Sequence, residues 1–247
     1  MRKLRFYIIA AIFLTVAACA EEKTTDENRV LPEFETFEFE AITEDYSFTI
    51  SYEQIVNASD NEAFALIDSM NYHNTFGEYA LNEPDLQCSS ELMMADMLDD
   101  MNTFNFLGLS YEMHIYQVAS LVRDDSVVCF DTVMENNLGG IHPMVNHTYE
   151  CYDIESGNIY DFGYLNDGEW CTELGNIIYD KLKAEYGNAI RIPATSFAHL
   201  PEAIYLTDNG IALQYQPYEI GDATLGSVTV EITDEELEEV GAPIVWE

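Results

Sequence analysis

The sequence predicts an α+β fold in which a largely antiparallel sheet packs with two to four helices. Residues 46–53 alternate between large apolar and polar side chains, which is typical of a half-buried strand. Asn209-Gly210 is a hairpin turn signal, at which a positive φ angle is expected at the glycine. Further strands are predicted from Phe34 and over 111–122, 127–135, 147–154 and 228–232. Most of the connections resemble hairpins, which favours antiparallel pairing.

Helices are predicted where caps and 3.6-residue periodicity coincide. Ser59 and Glu62 have the spacing of a capping box, in which the serine oxygen accepts a backbone N–H and the glutamate returns a hydrogen bond. Thr233 and Glu236 repeat that spacing near the C-terminus. The predicted helices cover residues 60–72, about 90–102, 172–186 and 234–240.

The cysteine positions suggest one disulfide. Four cysteines follow Cys19, and four can pair in three ways in an oxidising compartment. Cys129 and Cys151 are equidistant from Gly140, so a hairpin around that glycine would place the two thiols opposite each other. A disulfide between Cys129 and Cys151 and a pair of buried free thiols are therefore the two alternatives.

The N-terminus has the layout of a bacterial lipoprotein signal. A short basic head precedes an apolar stretch over 6–18, which is too short to be read as a membrane-spanning helix. Small residues stand directly before Cys19, as in a lipobox. We therefore expect lipid attachment at Cys19 and a cell-envelope protein anchored to a bacterial membrane, on its periplasmic or surface-exposed side. An ordinary secretory signal with an incidental cysteine is the alternative.

These features give a four-part organisation. Residues 1–18 are predicted to be the signal peptide, and the polar residues 19–32 a flexible tether. Residues 33–125 are predicted to form an N-terminal α+β half, and 126–247 a C-terminal α+β half.

The charge of the chain restricts its partners. Nine Lys and Arg stand against 46 Asp and Glu, for a net charge of −37. Removing the signal takes away three basic residues and leaves a charge of −40. Phosphate would be repelled, so nucleic acid and anionic lipid surfaces are poor partners. A basic protein, a divalent cation or a saline habitat would each fit, and solubility alone is the simplest explanation.

No motif for catalysis or cofactor binding stands out. The sequence lacks G-x-S-x-G, H-E-x-x-H, a P-loop and G-x-G-x-x-G, and neither a metal site nor a cofactor is expected. His142 is the one candidate for chemistry, but on a strand His147 would lie on the opposite face. The structural interpretation is favoured: Gly139 and Gly140 allow a tight turn, Pro143 fixes its exit, and His142 bonds a backbone carbonyl.

Four motifs occur in order between about residues 127 and 235 and resemble a known family. They are Gly139-Gly140-Ile141-His142-Pro143, Asp153 to Gly157, Tyr205 to Ile211, and Gln216-Pro217-Tyr218-Glu219-Ile220. Together they resemble the extracytoplasmic domain of RsiV-type anti-sigma factors, which is also similar to a domain of PdaC-type peptidoglycan deacetylases. The chain departs from the pattern at Ile141, where alanine is usual.

The resemblance implies an α+β domain outside the membrane and, for RsiV-type proteins, binding of lysozyme, a basic protein. Gly139, Gly140, His142, Pro143, Tyr218 and Glu219 are the motif residues that would take part in binding. The sigma-binding segment and the deacetylase domain have no counterpart in this sequence, so neither activity carries over. We therefore expect a non-catalytic binding module, for a basic protein such as lysozyme or for peptidoglycan. The alternative is an uncharacterised cell-wall hydrolase, or an accessory to one.

Overall fold

Eight strands in two mostly antiparallel sheets and four α-helices make up the described chain, which confirms the predicted α+β class. The computed structural model describes residues 29–104, 110–137 and 143–245. Cys19, Gly139, Gly140 and His142 lie outside these residues, and so do the proposed signal and most of the tether.

The first sheet has five strands in the order β1-β2-β3-β4-β5. Neighbours pair antiparallel except β2 and β3, which pair parallel because a long helical crossover joins them. The boundary between residues 125 and 126 falls in the turn between β3 and β4, so the two sequence halves share this sheet. The strands are β1 (Phe34–Ile42), β2 (Tyr46–Ile55), β3 (Tyr111–Val122), β4 (Val127–Asn137) and β5 (Met144–Asp153).

Helices α1 (Glu62–Phe76) and α2 (Leu86–Phe104) supply the apolar side chains that cover one face of this sheet. Phe76 of α1 and Met97 of α2 are buried in one cluster with Phe48 and Ile115 of the strands. Burial of such side chains on a sheet face is the main stabilising term for this layer.

The predicted capping box at Ser59 and Glu62 is wrong. Asn61 is the N-cap of α1, and its side chain accepts a hydrogen bond from the Ala63 N–H at 2.8 Å. Ser59 lies in a preceding 3₁₀ turn, over Ala58–Asp60. Asparagine is at least as good an N-cap as serine, so α1 begins directly after Asn61.

Helix α2, in contrast, begins earlier than predicted. The Asp85 carboxylate accepts a hydrogen bond from the Cys88 N–H at 2.9 Å, which caps the helix ahead of Leu86. Acidic residues at this position satisfy free N–H groups and favour the helix dipole.

The second sheet, ordered β6-β7-β8, packs with α3 and α4 around the largest apolar cluster. Leu174 and Ile178 of α3 are fully buried in that cluster with Leu213 and Ile232 of the sheet. The predicted capping box of Thr233 with Glu236 is confirmed. The elements are β6 (Ala203–Thr207), β7 (Gly210–Tyr215), β8 (Val228–Thr233), α3 (Cys171–Tyr186) and α4 (Asp234–Val240).

Gly210 is required for a reason other than the one predicted. The hairpin from β6 to β7 is present, but the positive φ angles of the described glycines belong to other positions, such as Gly226. A Cβ atom at Gly210 would instead meet the backbone of β8, at the Ile232 carbonyl oxygen and 2.8 Å from the Thr233 Cα. The glycine therefore permits the close approach of β8.

Arg123 joins the two sheets. It lies in the turn after β3, where three consecutive residues have positive φ, and its backbone N–H donates to the Asp208 carboxylate at 2.8 Å. Its guanidinium donates to both carboxylate oxygens of Asp234, at 2.5 and 3.0 Å, and to the Gly210 carbonyl oxygen at 2.9 Å. Such a bidentate contact fixes distance and orientation together.

The described residues include no helix with the length and hydropathy needed to cross a membrane.

Candidate functional site

The described residues cover only part of the side of the first sheet that is turned away from α1 and α2. The second sheet covers it at one end, where Val127, Cys129 and Cys151 join the cluster that contains Leu206. The rest, which we call the open face, consists of alternate side chains of all five strands: Glu38, Glu40, Thr49, Ser51, His114, Tyr116, Val118, Asp131, Val133, Glu135, Val145, His147 and Tyr149.

The strand registers arrange these side chains in rows that cross the sheet. One row contains Glu38, Ser51, Tyr116, Val133 and His147, each directly opposite the next. Directly opposite side chains on a sheet are close enough to interact, so each row is one continuous strip of surface.

A neighbouring row contains Glu40, Thr49, His114, Glu135 and Val145. In both rows, the residues on β1 and β2 are acidic or polar, and the residue on β3 has a ring side chain.

The centre of the open face is apolar and exposed. Tyr116 is 42% exposed and Val118 is 62% exposed, although both lie on β3, in the middle of the sheet. The His114 ring stacks on Tyr116 with 6.1 Å between centroids, and its Nδ1 is hydrogen-bonded to the Thr49 hydroxyl at 2.8 Å. An exposed apolar patch on an ordered sheet is typical of an interaction surface.

Aromatic stacking continues towards the second sheet. Tyr149 stacks on His147 at 6.0 Å and on Tyr205 of β6 at 4.2 Å between centroids. His147 Nδ1 lies 3.3 Å from a carboxylate oxygen of Asp131. These contacts hold the side chains of this end in fixed positions.

Carboxylates lie around the apolar centre, and the two histidines His114 and His147 are the only basic residues on the five strands. The sequences of β1 to β5 contain no Lys or Arg. Burial, with the nearby Glu135 carboxylate, raises the pKa of Tyr116, and burial with Asp131 raises the pKa of Tyr149. Burial is the larger cause of both shifts, and in each case the neighbouring carboxylate acts in the same direction.

A small polar cleft lies on the other face of the same sheet. Its volume is about 140 Å³, and Asn74, Thr75, Thr132, Met134, Asn146 and Glu150 are among its walls. We call it the polar cleft. Burial raises the pKa of Glu150, although hydrogen bonds from Tyr152 and Asn74 act in the opposite direction.

The predicted disulfide residues lie directly opposite each other. The β4–β5 register pairs Cys129 with Cys151, and a disulfide joins their sulfur atoms. Both side chains are buried in the cluster shared with the second sheet.

The fourth sequence motif forms a turn beside β5. The Gln216 side chain accepts from the His147 N–H at 3.1 Å and donates to the His147 carbonyl oxygen at 2.9 Å. The Glu219 carboxylate accepts from the Gln216 N–H at 2.7 Å, and burial raises the pKa of Glu219. Tyr218 is 68% exposed and has a φ of 72°, which is a strained angle for a tyrosine. Pro143 is exposed just before β5.

The open face cannot be identified from the sequence. Its only signal was the alternation within 111–122, which separates two faces without saying which one is covered. Among the described residues, no cluster of three or more His, Cys, Asp or Glu side chains is placed to hold a metal ion.

An α+β domain with one uncovered, acidic sheet face is thus the class defined by the fold and the site. Residues 165–235 match a family described as a protein of unknown function, DUF3298. A search of curated proteins found no match.

Solved structures of proteins described as DUF3298 family members are similar to this chain in fold. One is a DUF3298 family member from Bacteroides fragilis NCTC 9343, with 18% identity, a TM-score of 0.67, and coverage of 84% of this chain and 92% of that one. Another is a DUF3298 family protein from Pseudomonas aeruginosa PAO1, with 14% identity, a TM-score of 0.54, and coverage of 85% and 94%. These identities support similarity of fold alone.

Proposed function

We propose that the protein is a cell-envelope lipoprotein that works as a non-catalytic binding module for a basic protein such as lysozyme, with the open face as its docking surface. The observation that carries this proposal is the exposed Tyr116 and Val118 on a sheet whose strands contain carboxylates but no Lys or Arg. A cationic partner with some apolar surface would match both properties.

The net charge supports the same proposal through the rate of association. An acidic protein attracts a basic partner over about 8 Å at physiological salt, which speeds encounter. Affinity would come from the buried centre, because tyrosine at the middle of an interface is often a hot spot. The RsiV-type resemblance contributes the identity of the partner, and peptidoglycan remains the other ligand that it suggests.

The hydrolase alternative finds little support in the described residues. Glu150 is the one carboxylate among the side chains that line the polar cleft. Glycoside hydrolysis generally uses a pair of carboxylates, one as acid and one as base or nucleophile. Among the described residues, the polar cleft has one carboxylate where this chemistry generally uses two.

Placing a lysine on the open face is expected to weaken lysozyme binding. Val118→Lys puts a positive charge at the exposed centre, where it repels a basic partner and blocks close packing. We expect the Kd, measured by calorimetry at about 150 mM salt, to rise at least about tenfold. Leu92→Lys is the matched control, since Leu92 is exposed on α2, on the other side of the sheet.

The result has two informative controls. An unrelated basic protein of similar charge should bind more weakly than lysozyme at this salt concentration. If both proteins bind equally and are lost together as salt rises, the attraction is only charge. Equal effects of Val118→Lys and Leu92→Lys would remove the open face from the proposal.

The lipid anchor has its own test. Cys19→Ser removes the thiol that would carry the lipid, so the protein should move from the membrane fraction to the soluble fraction. A serine variant that still sediments with membranes after washing at high salt would contradict lipidation as the anchor.

A further inference from the structure

We propose that the polar cleft binds one sugar ring of a glycan through the ring's hydroxyl groups. This proposal does not rest on the binding of a basic protein, because the polar cleft and the open face lie on opposite faces of the first sheet. It assigns a second ligand site, of a different chemical class, to the same domain.

Two hydroxyl groups of the polar cleft, those of Thr75 and Thr132, are held in place by the buried side chain of Gln117. Gln117 is buried, at 2% exposure, and its side-chain nitrogen donates to the Thr75 and Thr132 hydroxyl oxygens at 3.0 and 2.9 Å. The two amide hydrogens of Gln117 are shared among Asn71, Thr75 and Thr132. Since an amide nitrogen cannot accept a hydrogen bond, the hydroxyl hydrogens of both threonines are available as donors. A fixed donor pair of this kind is the feature that gives a small-molecule site its orientation.

Gln117 is itself held by other contacts. Its nitrogen also donates to Asn71 at 2.8 Å, and its oxygen accepts from Asn71 at 3.1 Å and from the Glu53 backbone N–H at 3.2 Å. A buried polar network with this many contacts is rigid, so the two hydroxyls are preorganised for a ligand.

The acceptor on the other side is Glu150. One of its oxygens accepts from the Tyr152 hydroxyl at 2.8 Å, and that hydroxyl in turn accepts from Asn74 at 3.3 Å. A carboxylate offers about four acceptor positions, so Glu150 has capacity left for a ligand.

This combination of donors and an acceptor selects the ligand class. An anion would be repelled by Glu150, whereas an ammonium group could donate to Glu150 and to the threonine oxygens but would leave both threonine hydrogens without an acceptor. Sugar hydroxyls both donate and accept, and Met134 provides an apolar wall for the C–H groups of a ring. The volume of about 140 Å³ lies below the roughly 300 Å³ of typical drug-sized pockets and suits a single ring.

The test is a titration of the isotope-labelled protein followed by NMR. The probes are a β-1,4-linked tetramer of N-acetylglucosamine and cellotetraose, which distinguish an amino-sugar glycan from a plain glucan. Binding of either one, with shifts at the backbone amides of residues 132, 134, 146 and 148, is the expected result. The expected Kd is about millimolar, as suits one small subsite. Absence of shifts with both probes would overturn the proposal.

Two threonine variants test the contribution of the hydroxyl donors to sugar binding. Thr132→Val removes one donor, and both amide hydrogens of Gln117 keep acceptors in Asn71 and Thr75, so the fold should be preserved. Sugar binding should weaken about five- to tenfold. Thr49→Val makes the same chemical change on the open face and should leave sugar binding unchanged.

A cationic ligand is the competing class, and n-butylammonium is the probe for it. Glu150→Gln keeps an acceptor and should weaken sugar binding only about threefold, whereas it would abolish ammonium binding. If n-butylammonium binds, and its binding is lost in Glu150→Gln but unchanged in Thr132→Val, the ligand of the polar cleft is a lysine side chain and not a sugar. Val118→Lys should not affect sugar binding, so failure here and failure of the open face are distinguishable.

Discussion

Replacing Arg123 with alanine is expected to lower the free energy of unfolding by about 3 kcal/mol. The side chains of Arg123 and Asp234 are only 13% and 23% exposed, so removal of the guanidinium leaves a largely buried carboxylate without its main partner. The Gly210 carbonyl oxygen loses a donor in the same step. Chemical denaturation followed by fluorescence measures the change.

Arg191 provides a matched control. It forms an ion pair with Asp222, but the two side chains are 64% and 51% exposed. Exposed pairs of this kind contribute little, so Arg191→Ala should change stability by less than about 0.5 kcal/mol. Equal effects of the two substitutions would mean that Arg123 does not join the sheets in the way described.

Gly210→Ala should be about as damaging, at about 3 kcal/mol. The added methyl group would meet backbone atoms of Ile232 and Thr233, which cannot move away as a flexible side chain can. The expected result is a lower melting temperature and weaker hydrogen-exchange protection of β8.

Gly226→Ala is the control for the backbone angle. Gly226 has a φ of 69° and no atom within 4 Å of an added Cβ. Its substitution tests only the cost of a positive φ, which is about 1 kcal/mol. If Gly226→Ala costs as much as Gly210→Ala, close approach of β8 is not what makes Gly210 necessary.

Periodicity and turn signals were sufficient for the fold class and for most strands. The β4–β5 register followed from the equal distance of Cys129 and Cys151 from Gly140 because an antiparallel hairpin pairs residues symmetrically about its turn. Asn61 was missed as a helix cap because Ser59 offered an equally regular pattern two residues earlier.

The described residues of three of the four sequence motifs form hydrogen bonds that hold neighbouring parts of the fold together. Asp208 receives the Arg123 backbone N–H, and Gln216 pairs with the backbone of β5. Asp153 accepts from the N–H and hydroxyl of Ser156, which closes the turn after β5. These contacts explain why the motifs indicate a fold more strongly than they indicate an activity.

The open face and the polar cleft were beyond prediction for a different reason. Each depends on which face of the first sheet is covered, and that choice is made by α1, α2 and the second sheet in three dimensions. Alternation along a strand is the same whichever face is buried. The buried Gln117 looked like an ordinary polar residue of β3.

The parallel pairing of β2 with β3 has a consequence for the order of folding. The β1–β2 pair and the β3–β4–β5 pairs each join strands that are close in sequence, so each can form from local contacts. The β2–β3 contact must close a loop of about 55 residues that includes both helices, and such closure costs chain entropy before any contact repays it. In a hydrogen-exchange pulse-labelling experiment, we therefore expect the amides of the two antiparallel parts to become protected first. The parallel pairing of β2 with β3 should form last and most slowly.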